Sequence, residues 1–184
     1  MAEMKFKVQL LDGLAVRRAL TRLSFEIVEK SADLSNVVLV GIKTRGVPIA
    51  ETIAANIEAN SGVRVPTCAL DITFYRDDLS KVADMPQVEK PSFDIDINGR
   101  EVVLVDDVLY TGRTARAAID ALFSVGRPSR IRLAVLVDRG HRELPIRPDY
   151  IGKNVPTSLR EVVRVNFEAT DGKTNVELYE REEN

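Results

Sequence analysis

The sequence has one cysteine, one histidine and no tryptophan in 184 residues. The lone thiol, Cys68, excludes an intramolecular disulfide. With His141 as the single imidazole, a structural zinc site of the usual thiolate and imidazole type is excluded too. No run approaches the roughly 18 apolar residues that a membrane-spanning helix needs. The first ten residues, MAEMKFKVQL, lack the apolar core of a signal peptide, so the expected location is cytoplasmic. Charge of one sign is also lacking: 26 Lys and Arg stand against 28 Asp and Glu, for a net charge of -2. Any nucleic-acid site must therefore be a local basic patch. Internal repeats, low-complexity tracts and interdomain linkers are absent.

What remains is an ordinary globular balance, 45% hydrophobic and 29% charged, in a chain long enough for one domain, residues 1–184. Val16, Leu20, Leu23 and Ile27 fall on one stripe at helical spacing and predict a helix over 14–30. VVLVGI at 37–42 predicts a buried strand. Pro48 opens the next helix, with Ala50, Ile53, Ala54 and Ile57 inward and Gly62 as its stop. CALDITF at 68–74 reads as a strand, and 76–92 as a long polar loop. Asn98-Gly99 predicts a hairpin leading into a core strand at 101–105. A helix over 114–123, with Ala115, Ala118, Ile119 and Leu122 inward, ends at Gly126, and a buried strand follows at 131–138. Residues 139–160 read as irregular, and EVVRVNF and NVELYE as a terminal hairpin around Asp171-Gly172. The alternation predicts an α/β fold: a mainly parallel twisted sheet flanked by helices, with a small hood and a C-terminal hairpin.

The chemistry concentrates in VVLVDDVLYTGRT, residues 102–114. A buried strand delivers Asp106 and Asp107 to its carboxyl end, where open α/β sheets bind ligands. Four residues on, Thr111, Gly112, Arg113 and Thr114 offer successive N–H groups at a helix start, an anion site by geometry and dipole. Gly112 lets a phosphate approach the backbone. The acidic pair would repel that phosphate and so faces sugar hydroxyls or a metal ion. Seen alone, the pair would equally suit a magnesium site or a solvated turn, but neither explains the Thr-Gly-Arg-Thr run. A phosphate pocket beside hydroxyl acceptors describes a ribose 5-phosphate site.

Residues 102–114 resemble the signature with which type I phosphoribosyltransferases bind phosphoribosyl pyrophosphate (PRPP). The resemblance implies a substrate site formed by Val102, Val103, Leu104, Val105, Asp106, Asp107, Val108, Leu109, Tyr110, Thr111, Gly112, Arg113 and Thr114. Asp106 and Asp107 would take the ribose hydroxyls, and the Thr-Gly-Arg-Thr run the 5′-phosphate. Lys43-Thr44-Arg45-Gly46 is similar to the family's pyrophosphate loop, which implies Thr44 and Arg45 as ligands. Tyr75-Arg76-Asp77-Asp78 is similar to its mobile catalytic loop, which implies a flexible lid at about 75–91 and, with Asp106 and Asp107, a catalytic Arg76. Mg2+ would be bound through PRPP and pyrophosphate, with no protein metal ligand.

The stretches Arg17-Arg18-Ala19-Leu20-Thr21-Arg22, Asp71-Ile72-Thr73 and 137–158 look like one branch of that family. Its members make UMP from uracil and PRPP, and they bind the leader RNA of pyrimidine operons when UMP is bound. The resemblance implies a hood at about 138–160, with Asp138, Arg139, Gly140, His141 and Arg142 around uracil. It also implies a homodimer or homotetramer. On the first helix Arg18, Thr21, Arg22 and Phe25 lie opposite the buried stripe, and an exposed phenylalanine between arginines can stack on an unpaired base. The same patch equally suits a subunit contact. Lys43, Arg45 and Lys153 match positions linked to the RNA face, whereas RNA-binding members commonly carry histidine where this chain has Phe25. Pro148 likewise departs from the small residue usual before Asp149-Tyr150. Three readings follow: transferase and RNA-binding regulator, transferase alone, or regulator with little turnover.

Overall fold

The computed structural model describes residues 4–75 and 93–182. The expected lid and its Arg76 therefore lie outside the described residues, apart from Tyr75. The chain opens with β1 (Met4–Leu11), then α1 (Gly13–Lys30), β2 (Val37–Ile42), α2 (Gly46–Ser61) and β3 (Thr67–Leu70). After residue 92 come β4 (Glu101–Leu109), α3 (Arg113–Val125), β5 (Arg130–Asp138), β6 (Tyr150–Asn154), β7 (Glu161–Asn166), α4 (Glu168–Asp171) and β8 (Asn175–Arg181).

Five strands form a parallel sheet in the order β3-β2-β4-β5-β6. Its central strands are apolar on both sides because helices cover both faces. Val103 and Val105 point into the core under α1 and α2, while Val102 and Leu104 point into the core under α3. Asp12 caps α1, accepting from the Ala15 N–H at 2.7 Å, and the predicted stripe of that helix is buried. Gly62 ends α2 in the left-handed conformation at φ 72°, which a side chain would disfavour.

Several expectations need correction. Asn98-Gly99 makes a turn, closed by the Arg100 N–H on the Ile97 carbonyl, but residues 93–97 before it form no strand. Ile97 is buried against the α3 side of the core, so packing overrides the hairpin signal. The strand at 68–74 stops at Leu70, because Asp71 accepts from both the N–H and the hydroxyl of Thr73 and turns the chain. In α3, Ala117 and Ala121 are buried and Ile119 is only half-buried. Residues 139–160 contain a fifth parallel strand, β6, an edge strand too polar at Lys153 and Asn154 to stand out. The predicted terminal hairpin, β7 and β8, gains a third antiparallel partner in β1, in the order β1-β8-β7.

Candidate functional site

β4 does not stop before the acids. It runs through Asp106 and Asp107 to Leu109 and stays paired with β5 as far as Asp138. The in–out alternation slips here, since Leu136 and the next residue, Val137, both join the core under α1 and α2. Val105 and Val108 both contact that same core, while Leu109 joins the other. The carboxylates sit at the slip. Asp106 Oδ1 accepts from the Asp107 N–H at 2.9 Å, and Asp107 Oδ1 from the Val108 N–H at 2.8 Å. Burial first, then the charge of Asp107, pushes the Asp106 carboxyl well above its ordinary range. Val102, Val103, Leu104 and Val105 are fully buried, so they position the acids and offer no side chain to a ligand.

Beyond Leu109 the chain turns through Tyr110 and Thr111 into α3. Gly112 occupies the N-cap position at φ 93° and, having no side chain, offers no cap of its own. The Arg113 N–H donates to Thr111 Oγ1 at 3.3 Å, and the first turn of α3, with the positive end of the helix dipole, lies just beyond the end of β4. The Arg113 guanidinium pairs with Glu143 at 2.7 Å. The Thr111 carbonyl accepts from Glu143 and Leu144 N–H groups, and a side chain at Gly112 would touch Leu144 and Ile146.

The 43–46 loop crosses from β2 to α2 beside this strand end. The Lys43–Thr44 peptide bond is cis. Lys43 and Thr44 are exposed, and Lys43 lies 3.6 Å from Asp71. Gly46 packs so closely on β4 that a Cβ there would meet the Val105 carbonyl oxygen. Arg45 pairs with Asp171, 2.8 Å away in α4. That contact, reinforced by the charge of Asp107, raises the pKa of its guanidinium. Asp171 was read only as part of a turn, and nothing in its local sequence signals a partner 126 residues away.

The segment after β5 divides in two. Asp138, Gly140 and Arg142 line a cleft of about 510 Å³ with Arg147, Pro148, Ile151, Asn154, Val155 and Pro156. Asp138 accepts from Arg142 Nη2 at 2.5 Å and from the Gly140 N–H at 3.0 Å. Arg139 and His141 are not in that lining. Arg139 is buried, donating to Thr157 Oγ1 and to the Ser158 and Glu161 carbonyls beneath the Tyr110 ring. His141, at φ 60°, lies on the outside with Nε2 against the Thr157 carbonyl.

On α1, Arg17, Arg18, Thr21, Arg22, Phe25, Glu26 and Glu29 line a shallow trough. Phe25 is 53% exposed. Arg22 is not loose: it pairs with Glu26 and donates to the Ile151 and Gly152 carbonyls of β6, next to exposed Lys153. Lys43 and Arg45 sit apart from this trough on the 43–46 loop. Among the described residues no three His, Cys, Asp or Glu side chains cluster to hold a metal ion. No helix among them is long and apolar enough to cross a membrane.

Residues 8–167 match the family model for the phosphoribosyl transferase domain. The chain belongs to the phosphoribosyl transferase family. Within it, the chain is 57% identical over 177 residues to the bifunctional protein PyrR of Clostridium perfringens, covering 96% of this chain and 99% of that one. It is 57% identical over 179 residues to the protein of the same name from Thermus thermophilus, covering 97% and 99%. Among solved structures, hypoxanthine phosphoribosyltransferase of Trypanosoma cruzi superposes with a TM-score of 0.70 at 16% identity, over 96% of this chain and 98% of that one. The Staphylococcus aureus enzyme gives 0.69 at 17%, over 94% and 92%. At such identities the likeness is one of fold.

Proposed function

We propose that this chain transfers ribose 5-phosphate from PRPP to uracil, giving UMP and pyrophosphate, and that with UMP bound it binds a pyrimidine-operon leader RNA. The observation that carries the first part is the start of α3 at Gly112, where the N-cap residue has no side chain, just beyond the end of the strand that carries Asp106 and Asp107. The helix start would serve as a phosphate cradle and the two acids as acceptors for ribose hydroxyls. The name that the relatives carry, bifunctional PyrR, supports the second.

In the transfer the bond from C1′ to the pyrophosphate oxygen breaks and the bond from C1′ to uracil N1 forms. The N1 proton is lost to solvent, and pyrophosphate departs with the electron pair. No protein nucleophile is required. Asp106 and Asp107 hold the ribose hydroxyls and favour positive charge on the ring. Arg45 grips the leaving group, and Arg76 joins it from the lid. Val108 and Leu109, the last residues of β4, and Tyr110 in the turn beyond it connect the acids to the 111–114 loop. The cleft lined by Asp138, Gly140 and Arg142 receives the base. Mg2+ carried by the pyrophosphate oxygens of PRPP would neutralise the leaving group. Asp106 and Asp107 are the oxygen donors that could share such a metal with the substrate, while the Arg45 guanidinium, a cation with no lone pair to give, would meet the pyrophosphate oxygens instead.

Asp106→Ala and Asp107→Ala should each lower turnover by at least about a hundredfold while leaving the folded state in place. Unchanged turnover removes them from the site. RNA binding is tested with a leader hairpin and a scrambled one, with and without UMP, at fixed salt. Binding that strengthens with UMP supports the regulator. Equal binding to both hairpins leaves a transferase alone, a reading favoured by Arg22 being engaged with Glu26 and β6.

A further inference from the structure

Arg45 is held from outside its own sheet. Asp171 Oδ2 accepts from its Nε at 3.3 Å and Oδ1 from its Nη2 at 2.8 Å. Asp171 is itself fixed, with Oδ2 also accepting from the Phe167 N–H at 3.0 Å and the Thr170 hydroxyl at 2.7 Å. One carboxylate thus ties the turn between β7 and β8 to the loop between β2 and α2. The Arg45 contact, then the Phe167 and Thr170 hydrogen bonds, hold the Asp171 carboxyl down to about 2, so it is ionised throughout the neutral range.

A guanidinium has five N–H donors in a planar fork. Asp171 engages two of its nitrogens along one edge, which leaves N–H groups on the opposite edge. The Arg45 side chain is 40% exposed, and the charge of Asp107 also bears on it. The remaining edge is therefore accessible, on a loop that packs through Gly46 against the strand carrying the acidic pair. An arginine on a surface loop gives up rotamer freedom to grip an anion, and a second carboxylate that fixes the fork beforehand removes that loss.

Resting on the transferase reading above, we propose that Asp171 is a positioning residue for pyrophosphate: it pre-orients Arg45 so that the free edge of the guanidinium meets the pyrophosphate of PRPP. The opposite arrangement is a carboxylate that competes with pyrophosphate for the same arginine, and the two differ in sign.

The test measures kcat and the KM values for PRPP and uracil in the wild type, Asp171→Asn, Asp171→Glu, Arg45→Ala and the double variant Asp171→Asn/Arg45→Ala, each at a temperature where circular dichroism shows it folded. Asparagine keeps an oxygen for the Phe167 N–H, so the turn survives. Asp171→Asn should raise the KM for PRPP about tenfold, the effect of one charge-assisted hydrogen bond, and leave the KM for uracil unchanged. Asp171→Glu should recover most of the loss, and Asp171→Asn should add nothing once Arg45 is alanine. An unchanged or lowered KM for PRPP in Asp171→Asn, with Arg45→Ala impaired, overturns the proposal: Asp171 then only caps its turn or competes. An unchanged KM in Arg45→Ala overturns instead the reading of the 43–46 loop on which the proposal rests.

Discussion

The guanidinium of Arg139 lies 4.0 Å from the centre of the Tyr110 ring, so the first residue beyond β5 is laid over the residue that leads into the phosphate loop. Its three remaining contacts reach Thr157, Ser158 and Glu161. A residue expected beside the base is instead the clamp that closes the hood against the antiparallel sheet.

Arg139→Ala should therefore lower stability by about 3 kcal/mol in urea denaturation, because it strands two carbonyls and uncovers the ring. Arg139→Lys should recover little, since an ammonium cannot fork towards three acceptors. A loss below about 1 kcal/mol would detach the hood from this residue.

Gly46→Ala places a methyl group against the Val105 carbonyl and 3.4 Å from the Asp106 Cα. The loop must then lift from β4. The expected result is a loss of about 2 kcal/mol together with a raised KM for PRPP, read by thermal denaturation and initial rates. Wild-type kinetics in a stable Gly46→Ala variant would mean that the close approach is dispensable.

Asp106 gives a pH signature. Its folded pKa is raised above the ordinary 3.8, so the folded state favours the protonated acid. The stability this confers is complete below about pH 3.8 and is lost as pH rises through the folded value. Asp106→Asn removes the titration. The variant should match the wild type in acid and become the more stable of the two as pH rises, while losing turnover. Parallel stability–pH curves would show that burial does not perturb Asp106.

Phe25→Ala on the α1 trough should weaken leader-hairpin binding about tenfold, the size of one lost base stack, and leave uracil transfer unchanged. Arg22→Ala should act differently, because it releases the Ile151 and Gly152 carbonyls and so reaches both RNA binding and the hood cleft. Fluorescence anisotropy and initial rates on the same preparations separate the two. Equal RNA affinity for Phe25→Ala and wild type would return the trough to a subunit contact.

The strands and helices that were legible owe it to undiluted apolar pattern: VVLVGI, IRLAVLVD and the stripe Val16, Leu20, Leu23 and Ile27 have one physical solution each. The start of a helix at the Thr-Gly-Arg-Thr run was legible too, because a glycine ahead of a helical stripe is a local signal. β6 was hidden because its side chains are mixed and only backbone pairing to β5 makes it a strand. β1 was hidden because five of its eight residues are exposed. The Arg45–Asp171 pair and the Arg139 clamp were out of reach for another reason. Each joins segments that only the folded topology brings together, and a charged residue in a turn carries no local mark of a distant partner.

The Thr111 carbonyl, which accepts from the N–H groups of both Glu143 and Leu144, ties the loop before α3 to the segment that follows β5. That segment is also anchored by the Arg139 N–H on the Leu109 carbonyl. The loop and the segment cannot part without breaking these bonds, so the span between them is set by the register of β4 on β5. On the function proposed above, the two together would work as a calliper that gauges the length of a nucleotide, and a shift of one residue in that register would change what fits.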